Sequence, residues 1–358
     1  MVSPDDTPLL TGMGADGLSV LSTAPVDEVV FSWMNDTILV PRSKVAAVIT
    51  ADTVITVTTT ERTKFSTGDV VKIGKQGDTN VEILRITGYG TTADTLLVTR
   101  AWSGTATTYA SNSILVGVGT ALPEGDDPES ARTVDRVESS NVTQIFGPTL
   151  VRLSATEQIV RKYGVSSEFA HQAMGRIREN GIQREQAYLY GRKVNSTSLK
   201  VRTTGGLQGL LVTNQDNAST QLTVATIQTN QQTTYNLGGV PDRIIANPVA
   251  LTDLNDITNT SILRVDIEEA RRGRVRVMSV ETEFGTLTVV RNRWCLPSDA
   301  FAIKREAVIR RIMRPLQLER LAKTGDSDQA QVVCEEGLEV KGEKHQFAYT
   351  DLAYTGSN

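Results

Sequence analysis

The sequence predicts an α+β fold into which a small all-β domain is inserted. Three observations support this prediction. From residue 282 to residue 340, apolar residues alternate with charged ones, as in strands that bury one face. One long helical pattern covers residues 156–190. Short strand-like segments separated by turn residues fill residues 52–118, which is typical of a small barrel or sandwich.

Residues 1–30 predict an extended N-terminal arm. They are rich in Gly, Pro, Ser and Asp, they show no helical period, and no Lys or Arg precedes Arg42. Such a segment buries little of its own surface, so we expect something outside the segment to hold it, such as a neighbouring subunit. No helical, charged prefix precedes the arm after Met1, and no proteolytic processing is therefore expected.

Two extended segments, residues 31–51 and 119–153, bracket the β-rich region at residues 52–118. They predict the two strands of a long hairpin that carries the inserted domain between them. Within residues 52–118 the predicted strands are separated by Gly-, Asp- and Thr-rich turns, and they lie near Thr53–Thr59, Gly68–Ile73, Val81–Thr87, Leu96–Trp102 and Ile114–Val118.

The helical pattern begins after Ser154 or Thr156, either of which can cap a helix. Gly164 predicts a break, Ser167 predicts a second cap, and Gly191 predicts the end. Gly175 and Gly181 lie inside the pattern, where each costs roughly 1 kcal/mol against Ala. We expect close approach of another element to explain them.

The rest of the chain divides into two parts. Residues 205–280 mix short strands with helical segments and predict a compact α/β domain. Within it, the arginine-rich residues 271–276 predict a positively charged turn between two strands or a loop. Residues 281–358 predict strands that return to the helix.

Several phrases resemble those of tailed-bacteriophage major capsid (major head) proteins, which have the Hong Kong 97-like (Johnson) fold. The phrases lie at Asn141–Phe146, Gly205–Gly209 and Leu321–Ser327. The segments Phe65–Val71 and Leu97–Thr105 are similar to a subgroup with a β insertion near the E-loop. The resemblance implies an N-arm at 1–30, an E-loop hairpin at 31–51 and 119–153, an inserted β domain at 52–118, a P-domain with the spine helix at 154–204, an A-domain at 205–280, and returning A/P-domain strands with the C-terminus at 281–358.

The same resemblance implies a structural protein and not an enzyme. Such proteins self-assemble as pentamers and hexamers into an icosahedral head that encloses phage DNA. The implied partners are further copies of the chain, a separate scaffold protein, portal and decoration proteins, and double-stranded DNA bound without sequence preference. The implied location is the virion capsid, assembled in the host bacterial cytoplasm, with no contact to a membrane. The alternatives are an encapsulin-type compartment shell, a β-rich tail or adhesion protein, and a serine hydrolase.

Contacts between subunits are expected to combine aromatic anchors with opposite charges. The acidic arm and hairpin would face basic residues of the spine helix or sheet of the next subunit, and the basic run at residues 271–276 would contact a neighbour or DNA. The expected contact residues are Phe31, Trp33, Glu124, Asp126, Asp127, Phe146, Arg176, Arg178, Arg184, Arg271, Arg272 and Arg274.

Motifs of catalysis and cofactor binding are weak, so we expect no catalytic residue, cofactor or metal. The glycines of Gly12–Gly17 have dinucleotide-binding spacing but lack the flanking strand and helix that such binding requires. Ser327 with His345 would be the residues of a serine hydrolase, yet a triad also needs an orienting acid. The acidic run at residues 124–129 lacks the periodicity of a calcium loop.

Composition sets the remaining limits. The formal net charge is −4 over 358 residues, which argues against binding nucleic acid through bulk charge. No apolar run is long enough to span a bilayer, and the N-terminus lacks the pattern of a signal peptide. Cys295 and Cys334 lie among apolar neighbours, where buried free thiols are expected and a disulfide is the alternative.

Overall fold

The structure is a computed structural model, and its described residues fall into two compact units. It describes residues 7–12, 19–37, 40–50, 52–74, 81–121, 124–125, 135–160, 163–164, 167–217, 219–255, 279–323 and 325–353. One unit comprises residues 1–35 and 138–358, and the other comprises residues 36–137. The fold is mixed α+β, as the sequence predicts.

Six α-helices and twenty strands occur in the described part of the chain. The helices are α1 (Pro8–Thr11), α2 (Ala155–Ile159), α3 (Glu168–Tyr190), α4 (Leu207–Leu210), α5 (Val224–Asn236) and α6 (Ala250–Asn255). The strands are β1 (Ser22–Pro25), β2 (Val30–Thr37), β3 (Arg42–Lys44), β4 (Val54–Thr56), β5 (Asp69–Ile73), β6 (Glu82–Tyr89), β7 (Thr95–Ser103), β8 (Ile114–Thr120), β9 (Asp135–Val142), β10 (Gln144–Ser154), β11 (Val194–Ser196), β12 (Val201–Thr203), β13 (Gln215–Asp216), β14 (Arg243–Ala246), β15 (Ser279–Thr282), β16 (Gly285–Arg291), β17 (Asp299–Ile303), β18 (Val308–Arg320), β19 (Ser327–Val340) and β20 (Phe347–Thr350).

A four-stranded sheet and the helix α3 form the centre of the larger unit. The strand order is β1-β18-β19-β10, with β1 parallel to β18 and the other pairs antiparallel. The predicted helix caps are confirmed, because Ser154 accepts a hydrogen bond from the Glu157 amide and Ser167 accepts one from the Ala170 amide. The helix α3 ends at Tyr190, before Gly191, as its sequence predicts.

A six-stranded sheet, β13-β20-β17-β14-β16-β15, forms the second layer of this unit. Its central strand β17 is buried along its whole length. Because successive side chains point to opposite faces, Phe301 and Ile303 pack into the core shared with α3. Ala300 and Ala302 pack on the other face, against α5 and α6. Two cores therefore share one sheet.

The smaller unit is a six-stranded barrel with its own core. The strand order is β3-β8-β5-β6-β7-β4, and an antiparallel bridge from Val45 to Val57 joins the two edge strands. The core is lined by apolar side chains of every strand except β3, together with Val45, Ile49 and Phe65.

The hairpin predicted at residues 31–51 and 119–153 differs in extent from the paired strands of the structure. Among the described residues of these two segments, only β2 and β9 pair with each other, and the division between the units falls within these two strands. The strand β3 joins the barrel, because Val45 and Ile49 beyond it are apolar and fill the barrel core. The strand β10 joins the four-stranded sheet, where Val151 is buried.

The described residues of the N-terminal arm are held by elements outside the arm, as expected, but these elements belong to the same chain and not to a neighbouring subunit. Leu9 of α1 lies in the main core together with Val20 and Leu21. The strand β1 pairs with β18 from Ser22 to Pro25. The arm lacks a core of its own, but a few aliphatic residues and one short strand attach its described part to the subunit.

Gly175 has open space around it, so the expectation of close approach is wrong at this position. A Cβ atom built there meets no atom within 4 Å. Replacing Gly175 with alanine is therefore expected to raise the free energy of unfolding by about 0.5–1 kcal/mol, because alanine restricts the unfolded chain. Chemical denaturation measures the change. In the matched control, Gly191→Ala, the new Cβ would lie 2.4 Å from the Ala187 and Thr204 oxygens and should destabilise the protein.

Both cysteines are free and buried, which confirms that prediction. Burial raises the pKa of the Cys295 thiol to about 12 and that of the Cys334 thiol to about 11. Neither thiol is therefore poised to react as a thiolate at neutral pH.

Candidate assembly surfaces

Three glutamates lie in the middle of the buried strand β19. Glu335, Glu336 and Glu339 are all at most 5% exposed. Side chains alternate between the faces of a strand, so Glu336 points towards α3 while Glu335 and Glu339 point to the opposite face. A buried carboxylate is tolerated only when it is paired and hydrogen-bonded, and each of these three meets that requirement.

Glu336 is bound from two elements. The Arg184 Nη1 atom lies 3.0 Å from one carboxylate oxygen, and the Tyr188 hydroxyl donates to the other at 2.6 Å. The Arg310 Nε atom of β18 lies 3.2 Å from the same carboxylate. Burial and then the Glu336 charge raise the pKa of Tyr188 far above its usual value, so its hydroxyl stays protonated and donates. The helix is thereby fixed on the sheet by charged hydrogen bonds.

Glu335 and Glu339 form ion pairs on the face of β19 that points away from α3. Glu335 binds Arg202 of β12 at 2.8 Å and Arg314 of β18 at 3.0 Å. It also accepts a hydrogen bond from the Thr143 hydroxyl at 2.9 Å. Glu339 binds Arg311 and lies 3.5 Å from Lys341.

These ion pairs account for basic residues that the sequence had suggested for contacts with a neighbour. Arg184 was expected at a subunit contact, but it is buried and bonded to Glu336 of its own chain. Arg310, Arg311 and Arg314 of β18 likewise pair with glutamates of β19. These buried ion pairs were missed in the sequence, although their signal was present: two consecutive glutamates interrupt an apolar strand, and the preceding strand carries four arginines.

Asn141 is the second buried polar centre. Its Nδ2 atom donates to the Leu338 oxygen at 2.6 Å and to the Gly205 oxygen at 3.0 Å. Its Oδ1 atom accepts from the Gly205 amide at 2.8 Å. One fully buried side chain thus joins β9, β19 and the segment before α4.

Glu185 attaches the arm to α3. Its Oε1 atom accepts from the Leu9 amide at 2.7 Å and from Asn292 Nδ2 at 2.6 Å. Its Oε2 atom has no hydrogen-bond partner among the described residues. Burial raises the pKa of Glu185 from 4.5 to about 7, and the arm amides and Arg184 oppose that shift.

This carboxyl group predicts a pH-dependent stability. Between pH 4.5 and 7 the folded protein holds a proton on Glu185 that the unfolded chain has released. The stabilising contribution of Glu185 is therefore fully present below pH 4.5 and is lost as the pH rises through 7. The free energy of unfolding falls over this range by at most about 1.4 kcal/mol per pH unit. Denaturant titrations from pH 4.5 to 8 should show a flatter profile for Glu185→Gln. Parallel profiles for the two proteins would contradict the assignment.

The three aromatic residues expected at subunit contacts are buried in their own subunit. Phe31 and Trp33 stack with their ring centroids 6.0 Å apart. The Phe31 ring fills the space beside Gly337, where an added Cβ atom would come within 2.8 Å of it. Phe146 packs edge-on against Tyr188 at 6.4 Å. An inter-subunit role for these side chains stays a prediction.

The remaining expected contact residues are either exposed or outside the described part. Arg176 pairs with Glu179 of the same helix at 2.6 Å, and its side chain is 40% exposed. Arg178 and Glu124 are exposed. The others, Asp126, Asp127, Arg271, Arg272 and Arg274, lie outside the described residues.

Ser327 and His345 are not brought together. Ser327 begins β19, is buried, and its hydroxyl accepts a hydrogen bond from Arg152 at 3.2 Å. His345 lies in the 3-10 turn Glu343–His345, beyond the other end of β19. A strand of 14 residues at about 3.3 Å per residue separates them by roughly 40 Å, whereas a triad needs hydrogen-bond contact. The hydrolase alternative therefore has no geometric support.

The described residues contain neither a candidate metal site nor a candidate membrane-spanning helix. Among the residues that the structure describes, no three His, Cys, Asp or Glu side chains are grouped so that they could hold a metal ion. Within the same residues, no helix combines the length and apolar character needed to cross a bilayer.

Comparison with known proteins identifies the family of the chain. The family model described as SU10 major capsid protein matches residues 1–353. A comparison with curated proteins found no match.

The solved structures that resemble this chain share little sequence with it, and their TM-scores are below 0.5. One from Microbacterium phage Oxtober96 has 11% identity and a TM-score of 0.49, covering 93% of this chain and 89% of that one. One from Mycobacterium phage Adephagia has 9% identity and a TM-score of 0.48, with coverages of 97% and 92%. The holo-SrpI encapsulin complex from Synechococcus elongatus has 10% identity and a TM-score of 0.42, with coverages of 63% and 80%.

Similarities at this level establish neither family nor function, and the assignment therefore rests on the family match. That match extends over nearly the whole chain, from the arm to the last strand of the second sheet. The chain belongs to the SU10 major capsid protein family, whose members are structural proteins that form capsid shells.

Proposed function

We propose that the chain is the repeating subunit of a tailed-phage head, which assembles as pentamers and hexamers into an icosahedral shell around double-stranded DNA. The observation that carries this proposal is the family match over residues 1–353. Assembly takes place in the host cytoplasm. The interacting proteins, besides further copies of the chain, are a scaffold made separately, a portal and decoration proteins. An encapsulin compartment is not favoured, since the matching family is one of phage-type capsid proteins.

The proposed architecture is the Hong Kong 97-like fold with an inserted β domain. Within it, α3 is the spine helix and the four-stranded sheet is the P-domain sheet. The six-stranded sheet with α5 and α6 is the A-domain. The β2–β9 pair forms the base of the E-loop, and the barrel in residues 36–137 is the inserted domain. The order of the elements along the chain and the packing of α3 on the four-stranded sheet support this proposal.

The work of such a protein is done by interfaces that repeat over many copies. Exposed ion pairs contribute only about 0–1 kcal/mol each, but repeated in every subunit they fix register and reject wrong partners. The proposed contacts use Glu124, Asp126 and Asp127 of the hairpin against Arg176 and Arg178 of the next subunit. The run containing Arg271, Arg272 and Arg274 meets a neighbour or DNA. The buried aromatic residues Phe31, Trp33 and Phe146, together with Arg184, support these surfaces from within the subunit.

Sedimentation of the purified protein tests the proposal. Expressed alone, or together with a scaffold protein, the chain should form capsomers or closed particles of megadalton size. Particles moved into high salt should dissociate more readily than particles kept in low salt, because salt screens the charge pairs that set the register. A stable monomer under every one of these conditions would contradict a shell-forming role.

A further inference from the structure

The segment between α3 and α4 presents an apolar face that its own chain leaves uncovered. Strands β11 and β12 pair only with each other among the described strands, and we call residues 192–203 the basic hairpin. The pairing places Val194 and Val201 on one face, because alternate residues share a face. Val194 is 51% exposed, Val201 is 57% exposed, and Leu199 in the turn is 75% exposed.

The other side of the basic hairpin is firmly attached. Arg202 binds the buried Glu335 at 2.8 Å, and the Lys193 ammonium group donates to the Ser140 oxygen at 2.8 Å. An isolated two-stranded hairpin is marginally stable in water, so these bonds are what holds it. The molecule therefore keeps an aliphatic face in a fixed position at its surface, a feature typical of a binding surface.

The charge of the hairpin defines what can cover this face. From Gln186 to Gln215 the chain contains no Asp or Glu, while the hairpin carries Arg192, Lys193, Lys200 and Arg202. Arg192 and Lys200 make no ion pair with any residue that the structure describes. A complementary partner must therefore offer aliphatic side chains next to carboxylates.

One exposed segment of the same chain has this chemistry. Asp27 and Glu28 are exposed and form no ion pair within the described ranges. They precede β2, in which Phe31 and Trp33 point inward. The alternate residues Val30 and Met34 are 43% and 62% exposed. Two carboxylates thus precede two exposed apolar side chains, which are separated by Ser32, and we call residues 27–34 the acidic strand.

We propose that the basic hairpin of one subunit binds the acidic strand of a second copy. This inference rests on the proposed function, because it supplies a contact for shell assembly. The two surfaces are different parts of the chain, so the contact is head-to-tail, and repetition of such a contact closes a ring when the rotation permits. A nucleic acid would satisfy the cations but would leave the aliphatic face uncovered, so a second copy is the better occupant.

Disulfide trapping tests the contact directly. One tagged copy carries Leu199→Cys, and a second, differently tagged copy carries Met34→Cys. Both native cysteines are buried, so oxidation reports on the two new thiols, which must come within about 4 Å between Cβ atoms. Assembled particles should yield a disulfide joining the two tags. In the control, Leu296→Cys replaces Leu199→Cys at another exposed leucine and should yield none. Particles that assemble without the trapped species would overturn the inference and leave the proposed function standing.

Charge reversal gives an independent test. Arg192→Glu with Lys200→Glu should lower particle yield by about tenfold or more, because like charges then face each other. Asp27→Lys with Glu28→Lys should do the same, and the two pairs of changes in one chain should restore assembly. Lys304→Glu, the same change at an exposed lysine elsewhere, should assemble normally.

The outcomes separate this inference from its rivals. Normal assembly of the reversed hairpin in low and moderate salt would overturn it. Loss of binding to a DNA probe by the reversed hairpin, with assembly intact, would assign the surface to nucleic acid instead. If the unaltered protein forms no particles at all, the proposed function fails and the inference fails with it.

Discussion

Replacing Glu336 with alanine is expected to lower the free energy of unfolding by about 3–5 kcal/mol. The carboxylate is fully buried and holds Arg184 and Tyr188 of α3 and Arg310 of β18. Its removal leaves two guanidinium groups in a buried site without their shared countercharge. The hydrogen bonds that attach Arg184 and Tyr188 of α3 to β19 are lost as well.

Chemical denaturation of the subunit measures this change, and two variants make it interpretable. Glu306→Ala removes the same charge from an exposed turn and should change stability by less than about 0.5 kcal/mol. Glu336→Leu combined with Arg184→Leu should be milder than Glu336→Ala, because it removes both members of a buried pair. A loss below about 1 kcal/mol for Glu336→Ala would contradict a buried, paired carboxylate.

Replacing Asn141 with alanine is expected to lower the free energy of unfolding by about 4 kcal/mol, the second large effect. The change leaves the Leu338 oxygen and the Gly205 amide in a buried site without the partners that Asn141 provides. Each unsatisfied buried group costs about 1–3 kcal/mol. Because Asn141 joins β9, β19 and the segment before α4, the variant should also unfold with lower cooperativity.

The matched control for this prediction is Asn195→Ala in the basic hairpin. Asn195 is exposed, so its loss should change the free energy of unfolding by less than about 0.5 kcal/mol. Equal effects of the two asparagine changes, measured by denaturant unfolding, would show that Asn141 is not the connecting residue described above.

The sequence predicted those elements whose signals are local. Ser154, Ser167 and Gly191 mark the ends of α2 and α3, since caps act within one turn of the helix that they begin or end. Five of the six barrel strands, β4 to β8, were found for the same reason, because period-two alternation and turn residues are contained within each strand. The family resemblance, based on phrases such as Asn141–Phe146, led to the same family as the match over residues 1–353.

Features that depend on distant parts of the chain were not predictable in the same way. The arm appeared unsupported because Leu9 and Glu185 are 176 residues apart, and only folding brings them within 2.7 Å. Arg184 was interpreted as a surface charge because its partner Glu336 lies 152 residues further along. Charge patterns in a sequence therefore do not distinguish an ion pair within a subunit from one between subunits, although glutamates inside an apolar strand do indicate a buried ion pair.

Cryo-electron microscopy of the purified protein tests the central claim most directly. We expect closed icosahedral particles built of pentamers and hexamers, in which each subunit shows α3 packed on the four-stranded sheet. We also expect the basic hairpin to contact the acidic strand of another copy. Monomers alone, across the range of protein concentration and salt and with a scaffold protein present, would contradict the claim that this chain forms a shell.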